Sequence, residues 1–499
     1  MSAVSAEDNA TDVISDDVDQ EITGEDIKED VSAQNMDDNG GSDEVIDEAP
    51  VEKQTSKIVS SKVTGYESFA TSISFTLTAD GKPLAKKPVQ VQINQKSYSA
   101  TTDAKGKATL SLKLKAGTYT ATFNYAGDNS TTDAVGTCAV TVKAPTKTSL
   151  KIGDKNINYR QGSKCLFYVK LVDSKGKAIK GQTVNFKVSG KSYSAKTDKY
   201  GNAKIYLNLK KGTRKVTYSF KASSPYLASS GSYKIKVKAK MPKGDGYWLW
   251  PMHMKSINLK SLSKKGTKHL FLHVQALSSY GKSSVVSFIK KAHRYGMKVH
   301  MWMQVCYDGD WVSPVRDDGS FKYGFINKKI NLAVYYAKIK GVDGVHFDYM
   351  RYGGTAHKHK NAIESINYIV KKASIKIHKA RPNCIVSGAL MPEPSMMHYY
   401  YGQDVPTLSK YVDALLPMVY KGNYGQTRGW IKSVTSTFVK QSNGAQIWTG
   451  LQSYHSDSNT KKLSHSSLLK DAKAAKSGGA KGIVLFRIGI SCNFNFKKV

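Results

Sequence analysis

The run Val345-His346-Phe347-Asp348 follows the turn signal Asp343-Gly344 and gives way to the aromatic-basic cluster Tyr349-Met350-Arg351-Tyr352. A short apolar run that ends on an acid before a polar, helix-forming segment reads as the fourth strand of a (β/α)₈ barrel, with the acid carried to its C-terminal end. The plain alternative is a strand whose last residue caps its turn. A second acid, Glu393, sits between two prolines in Met391-Pro392-Glu393-Pro394, at the end of the next apolar run. Those prolines stiffen the loop that presents it. Two acids on consecutive strand ends suit cleavage of a glycosidic bond: one protonates the leaving oxygen, and the other attacks or activates water. Asp348 and Glu393 are therefore the candidate catalytic pair.

The residues around them suit a sugar. Sugars offer apolar ring faces and hydroxyl edges, which aromatic platforms and amide or imidazole donors can match. Candidate binding residues are Trp250 on the first strand, Gln275 on the second, and His300, Trp302 and Gln304 on the third. His346, Arg351 and Tyr352 flank Asp348, Tyr420 ends the sixth strand and Gln452 the seventh. Trp248, Tyr424 and Tyr454 cluster at the same strand ends, and the tryptophans could equally be barrel core. His346 precedes Asp348 by two residues on the same face, which predicts that it lies one layer lower and hydrogen-bonds the carboxylate.

Elements that would position these groups can be placed along 244–499, a length of 256 residues, close to the ~250 typical of such a barrel. Eight strands are expected: Tyr247–Met254, His269–Leu277, Lys298–Cys306, Gly344–Tyr349, Cys384–Met391, Ala414–Tyr420, Gln446–Ser453 and Gly482–Ile488. Helical stripes lie between several of them. Val285, Phe288, Ile289 and Ala292 form one that closes at Gly296, and Ile363, Ile366, Ile369, Val370, Ala373 and Ile377 form another that closes before Pro382. Strands alternating with helices predict a parallel sheet, and eight pairs predict closure.

Ahead of the barrel lies an internal repeat with an offset of 95 residues. Lys96-Ser-Tyr-Ser-Ala100 recurs as Lys191-Ser-Tyr-Ser-Ala195, Gly81-Lys82 as Gly176-Lys177, Thr102-Asp103 as Thr197-Asp198, and Gly117-Thr118 as Gly212-Thr213. Both copies alternate apolar and polar residues between Asp/Gly turns, as in 89–93, 108–114 and 119–123, answered by 184–188, 205–209 and 216–220. This predicts two all-β sandwiches, at 57–144 and 145–240.

Charge divides the chain in two. Residues 1–56 carry 18 Asp/Glu and two Lys, and the remainder carries 73 Lys/Arg and 21 Asp/Glu, net +52. The acidic head has no apolar period, so it is expected to be disordered. The basic remainder calls for an anionic neighbour, for which a wall surface or membrane surface fits best. Nucleic acid ranks last, because no base-reading helix or nucleic-acid motif occurs. The five cysteines are scattered without a Cys-x-x-Cys and are expected as free buried thiols. No apolar run reaches the ~18 residues of a membrane span. Val4-Ser5-Ala6 fits the small-x-small end of a secretory signal that has lost its front, so the expected location is extracellular or at the cell surface. A metal centre is the enzymatic alternative, since His253, His273, His300 and His346 fall on the first four strands. They lack His-x-His or His-Glu-x-x-His spacing, so neither metal nor cofactor is expected.

The stretches 341–352, 295–305 ("YGMKVHMWMQV") and 412–420 ("VDALLPMVY") resemble the fourth, third and sixth strands of the glycoside-hydrolase-like barrel family, distant kin of the α-amylase clan. The two repeats resemble the immunoglobulin-like modules of prokaryotic surface proteins, notably the adhesin-like proteins of methanogenic archaea. The first resemblance implies hydrolysis of a polysaccharide, with Asp348 as nucleophile and Glu393 as acid/base; where that clan has Arg, this chain has His346, and Asp457 stands too far into its loop to serve as a third acid. The second implies a stalk or spacer on a surface protein; the expected substrate is an extracellular or cell-wall polysaccharide, for which pseudomurein or a related wall glycan is one candidate in a methanogen. A wall-binding adhesin on a degenerate barrel is the non-enzymatic alternative.

Overall fold

The computed structural model describes residues 52–499. The expected disorder of the acidic head and the signal remnant at 4–6 fall in 1–51, outside the described residues. Residues 52–56 join the first β-unit, where the Gln54 amide donates to the Ser130 carbonyl at 3.0 Å.

Two two-sheet sandwiches come first. In the first, the strands Ser56–Ser60, Thr71–Ala79, Lys82–Pro83 and Lys107–Leu112 make one sheet, and Val63–Tyr66, Ala134–Lys143, Gly117–Tyr125, Pro88–Ile93 and Lys96–Thr101 make the other. Alternation decides the faces: Ile73, Phe75 and Leu77 point inward against Val89, Val91, Phe123 and Val140. The second sandwich repeats this with Cys165–Asp173 facing Thr183–Val188 and Gly212–Phe220 around Phe167, Val169, Phe186 and Val216. The 95-residue offset holds at the level of single hydrogen bonds. The Lys87 amide donates to Thr102 Oγ1, and the Gln182 amide donates to Thr197 Oγ1, each at 2.9 Å. Asp103 and Asp198 each tie the turn that follows them through two backbone amides.

The remainder is a closed barrel of eight parallel strands. They are β1 (Gly246–Leu249), β2 (His269–His273), β3 (Lys298–Gln304), β4 (Gly344–Asp348), β5 (Ile385–Leu390), β6 (Ala414–Val419), β7 (Gln446–Gln452) and β8 (Gly482–Phe486). All eight expected strands are present, but each ends one to five residues earlier than predicted, because the apolar run continues into the loop that follows. Pro251–Met254 forms a 3₁₀ turn, and Ala276 already starts a helix. Both expected helical stripes face the barrel: Val285, Phe288, Ile289 and Ala292 within Ala276–Arg294, and Ile366, Ile369, Val370, Ala373 and Ile377 within Ala362–Ala380 are buried. Among the described residues no helix is long and apolar enough to cross a membrane. The cysteines are free thiols, four of them buried and Cys492 half-buried.

The second sandwich is fixed to the N-terminal end of the barrel. Asp413, just before β6 and fully buried, receives Arg160 Nε at 2.8 Å, Asn158 Nδ2 at 2.7 Å and the Val386 amide at 2.9 Å. Burial opposes its charge, yet Arg160 and His378 hold its carboxyl well below the usual range. Around it, Asp154 takes a hydrogen bond from Tyr411 and an ion pair from Lys371, and Asn443 accepts the Leu166 amide.

Candidate active site

At the opposite end, the loops after the strands enclose a cavity of about 340 Å³. Its walls include Trp248, Trp250, Trp302, Tyr349, Tyr420, Tyr424, Tyr454 and Phe486, with Gln304, Arg351, Asn423, Asp348 and Asp457 as the polar groups.

Asp348 ends β4 and is 8% exposed. Trp302 Nε1 donates to its Oδ2 at 2.9 Å, and the next amide, Tyr349 N–H, donates to Oδ1 at 2.7 Å. Tyr349 reaches that position by taking a left-handed backbone, φ 49°, a conformation that is strained for a bulky residue and is found at functional sites. Its carbonyl accepts the Cys306 amide, which secures the turn. Burial drives the Asp348 carboxyl above the ordinary range, and the Tyr349 amide, the Trp302 indole and the Arg351 charge pull against it. Arg351 sits over the Trp311, Tyr349 and Tyr401 rings with its carbon 4.5, 5.5 and 5.6 Å from their centroids.

Trp250, Trp302, Gln304, Arg351 and Tyr420 thus face the cavity as the sequence suggested, and Trp250 lies 5.0 Å from Trp302 between ring centroids. Five expected binding residues do not. His346 lies one layer below Asp348 but does not touch it. It accepts Trp248 Nε1–H at Nε2 (3.2 Å), which leaves the ring proton on Nδ1 to be donated to Ser387 Oγ (3.0 Å). Burial pushes its pKa down to about 3, so it is neutral. His300 is deeper still: it is paired with His269 Nδ1 at 2.9 Å, and burial holds its pKa well below the usual value. Tyr352 belongs to the core, its hydroxyl 3.1 Å from Ser365 Oγ. Gln275 is exposed at the start of the Ala276–Arg294 helix. Gln452 is buried behind the wall and grips Asn423, accepting its amide at 3.2 Å and donating to Oδ1 at 2.7 Å. For the two histidines the cause is depth, since alternation along a strand shows which residues point into the barrel but not which layer each occupies; Gln275 and Tyr352 lie past the ends of their strands, where that alternation no longer holds.

The Glu393 carboxylate receives the Tyr401 hydroxyl at 2.5 Å and that of Tyr424 at 3.4 Å. Tyr424 lines the cavity and Glu393, expected there beside Asp348, does not; it stands behind that ring and meets the site only through the Tyr424 hydroxyl. Burial and Glu393 together push the Tyr424 hydroxyl up to about 12, which keeps it a donor.

Asp457 is the acid that sequence reasoning set aside. The strand Tyr454–Ser456 turns back as Asn459–Lys462, and this hairpin folds Asp457 onto the cavity wall. There Tyr454 OH donates to Asp457 at 2.6 Å and Asn423 Nδ2 at 2.7 Å. Gly422 permits the approach: a Cβ there would stand 1.6 Å from the His455 carbonyl oxygen. The signal was present in Asp457-Ser458-Asn459, turn formers between two short polar runs. Among the described residues no three His, Cys, Asp or Glu side chains gather as they would around a metal ion.

No family model matches the chain, and no curated protein matches it. Among solved structures it is similar to the spore cortex-lytic enzyme SleL of Bacillus cereus, at 13% identity and TM-score 0.39, over 53% of this chain and 76% of that one. It is also similar to the multi-modular, cell-surface-expressed chitinase ChiW of a Paenibacillus species, at 10% identity and TM-score 0.38, over 70% of this chain and 42% of that one. A third similar structure is the endo-1,4-beta-D-mannanase of Thermotoga petrophila, at 12% identity and TM-score 0.37, over 49% of this chain and 88% of that one.

Proposed function

We propose that the protein is an exported cell-surface glycoside hydrolase acting on an extracellular or cell-wall polysaccharide. The observation that carries this reading is a buried carboxylate, Asp348, at the end of β4 in a cavity walled by aromatic rings. Aromatic faces stack on sugar rings, and Gln304, Asn423 and Arg351 supply hydrogen bonds for hydroxyls. The Asp348 charge is held in a desolvated place where only two hydrogen bonds and the Arg351 field offset it. An oxocarbenium ion forming beside it gains more from that charge than it would in water. Asp348 is the nucleophile or charge stabiliser in this reading, and Glu393, joined to the cavity through Tyr424, is the proton donor. Asp457 is the third acid of the site. The two sandwiches act as immunoglobulin-like spacers, and the basic surface holds the enzyme on an anionic wall.

A glycan-binding barrel without turnover would keep the same cavity, and one experiment separates the two. Wild-type protein and Asp348→Asn are incubated with a panel of wall and plant glycans, and reducing ends and binding are both measured. Turnover in the wild type that the variant loses, with binding retained, supports the hydrolase. Binding without turnover in both supports the adhesin.

A further inference from the structure

A second cavity, about 770 Å³, lies where the second sandwich meets the N-terminal end of the barrel, away from the site around Asp348. No Asp or Glu side chain lines it, while Lys155, Lys211, Lys236, Lys238 and Lys240 do, and none of these five makes an ion pair among the described residues. The two further cations of the wall are engaged, Arg160 with Asp413 and Lys298 with Asp343. Four donors of the lining are buried with no hydrogen-bond partner, Lys238 Nζ, Ser374 Oγ, Arg160 Nη2 and His378 Nε2; the last two lie within ion-pair distance of Asp413, and the first two pair with no acid. Burial pulls the Lys238 ammonium down to about 8, with the Asp413 charge resisting. A buried, unpartnered ammonium is costly unless something satisfies it.

We propose that this junction cavity binds a multivalent phosphate anion, either free or carried on a polymer. Its volume falls in the range of ligand cavities, ~300–1,000 Å³, and exceeds what a single monovalent ion needs. The choice of phosphate over carboxylate follows from the donors. Carboxylates favour the fixed two-pronged geometry of arginine, whereas lysines act as point charges that gather around phosphate oxygens from several directions. Here the one arginine is occupied by Asp413, and the free cations are all lysines. The ligand would touch both the sandwich (Lys236, Lys238) and the barrel helix that carries Ser374, so binding would also strengthen their junction.

The test uses the full chain at fixed ionic strength, with calorimetric titration of tripolyphosphate, inorganic phosphate, long-chain polyphosphate and polygalacturonate. Tripolyphosphate should saturate one site and bind more tightly than inorganic phosphate or polygalacturonate. Lys236→Gln/Lys238→Gln/Lys240→Gln should weaken it at least about tenfold, the cost of losing one charge-assisted hydrogen bond or more. The charge-matched control Lys82→Gln/Lys96→Gln/Lys107→Gln, exposed on the first sandwich, should stay within about twofold. If the junction triple melts early without ligand, Lys211→Gln alone replaces it and should still weaken binding. Long-chain polyphosphate binding as tightly per site assigns the polymer as the source, and its exclusion assigns a free anion. Equal loss in both triples, non-saturable binding, or polygalacturonate binding as tightly as tripolyphosphate would overturn the proposal.

Discussion

Trp302→Phe isolates the hydrogen bond from Trp302 Nε1 to Asp348 Oδ2, because phenylalanine keeps an aromatic ring and loses the donor. A hydrogen bond to a charged group contributes about 1.5–3 kcal/mol and a neutral one about 0.5–1.5. In Asp348→Asn the amide oxygen can still accept from the indole, so what separates the two backgrounds is the charged part of the bond. A double-mutant cycle over Trp302→Phe and Asp348→Asn should therefore show a coupling of about 1–1.5 kcal/mol at neutral pH, worth roughly 2–4 °C in Tm for each kcal/mol in a domain of this size. The pH sign follows from the native state. Burial raises the Asp348 carboxyl above its unfolded value, so the stability it contributes is full below the unfolded pKa and is lost as pH rises through the folded one. Asp348→Asn should accordingly melt higher than wild type at neutral pH and lose that advantage in acid. The coupling should fade over the same range, because a protonated Asp348 no longer receives a charged hydrogen bond. Melting curves across a pH series need no substrate. Additivity within about 0.5 kcal/mol at neutral pH, or a coupling that persists unchanged in acid, would refute the assignment of Trp302 as the group that steadies the ionised carboxylate.

Glu393→Gln should lower turnover by about 10²–10⁴-fold, and less for substrates with good leaving groups, since acid assistance then matters less; steady-state rates on aryl glycosides of graded leaving-group pKa check this. Arg160→Leu strands the Asp413 charge in the junction and should cost about 3–5 kcal/mol, with Arg160→Leu/Asp413→Leu recovering much of it, as read from denaturant midpoints. Wall retention should fall steeply across a salt series, because exposed charges are screened over ~8 Å at physiological ionic strength, while cleavage of a neutral oligosaccharide should hold. A parallel fall of both would place charge in the active site and point to an anionic substrate.

The barrel was legible because its strands are apolar runs bounded by turn signals, and Asp348 because it ends such a run. What local patterning could not supply was distance along the barrel axis. His300, His346 and Trp302 share one inward-facing pattern, yet the histidines fill the lower layers and only the indole rises to meet Asp348. Asp457 escaped for a different reason. Its place depends on a hairpin folding back over the β6 loop at Gly422, a contact between segments 33 residues apart that no short window contains. Gln452 shows the reverse error, an inward polar residue that holds a wall residue in place and does not itself form the wall.

The sandwich grips the barrel through Asp413, Lys410 and Asn443, all of which lie just before strands begin, whereas every wall of the Asp348 cavity comes from strand ends and the loops that follow them. In mechanical terms, the load path and the working opening share no residue. A pull arriving along the chain from the sandwich is taken up by the barrel's base, and shear there does not pry apart Trp302, Tyr420 and Asp457. The Asp348 cavity thus opens at the end of the barrel opposite the one the second sandwich occupies, and strain at that contact leaves it untouched.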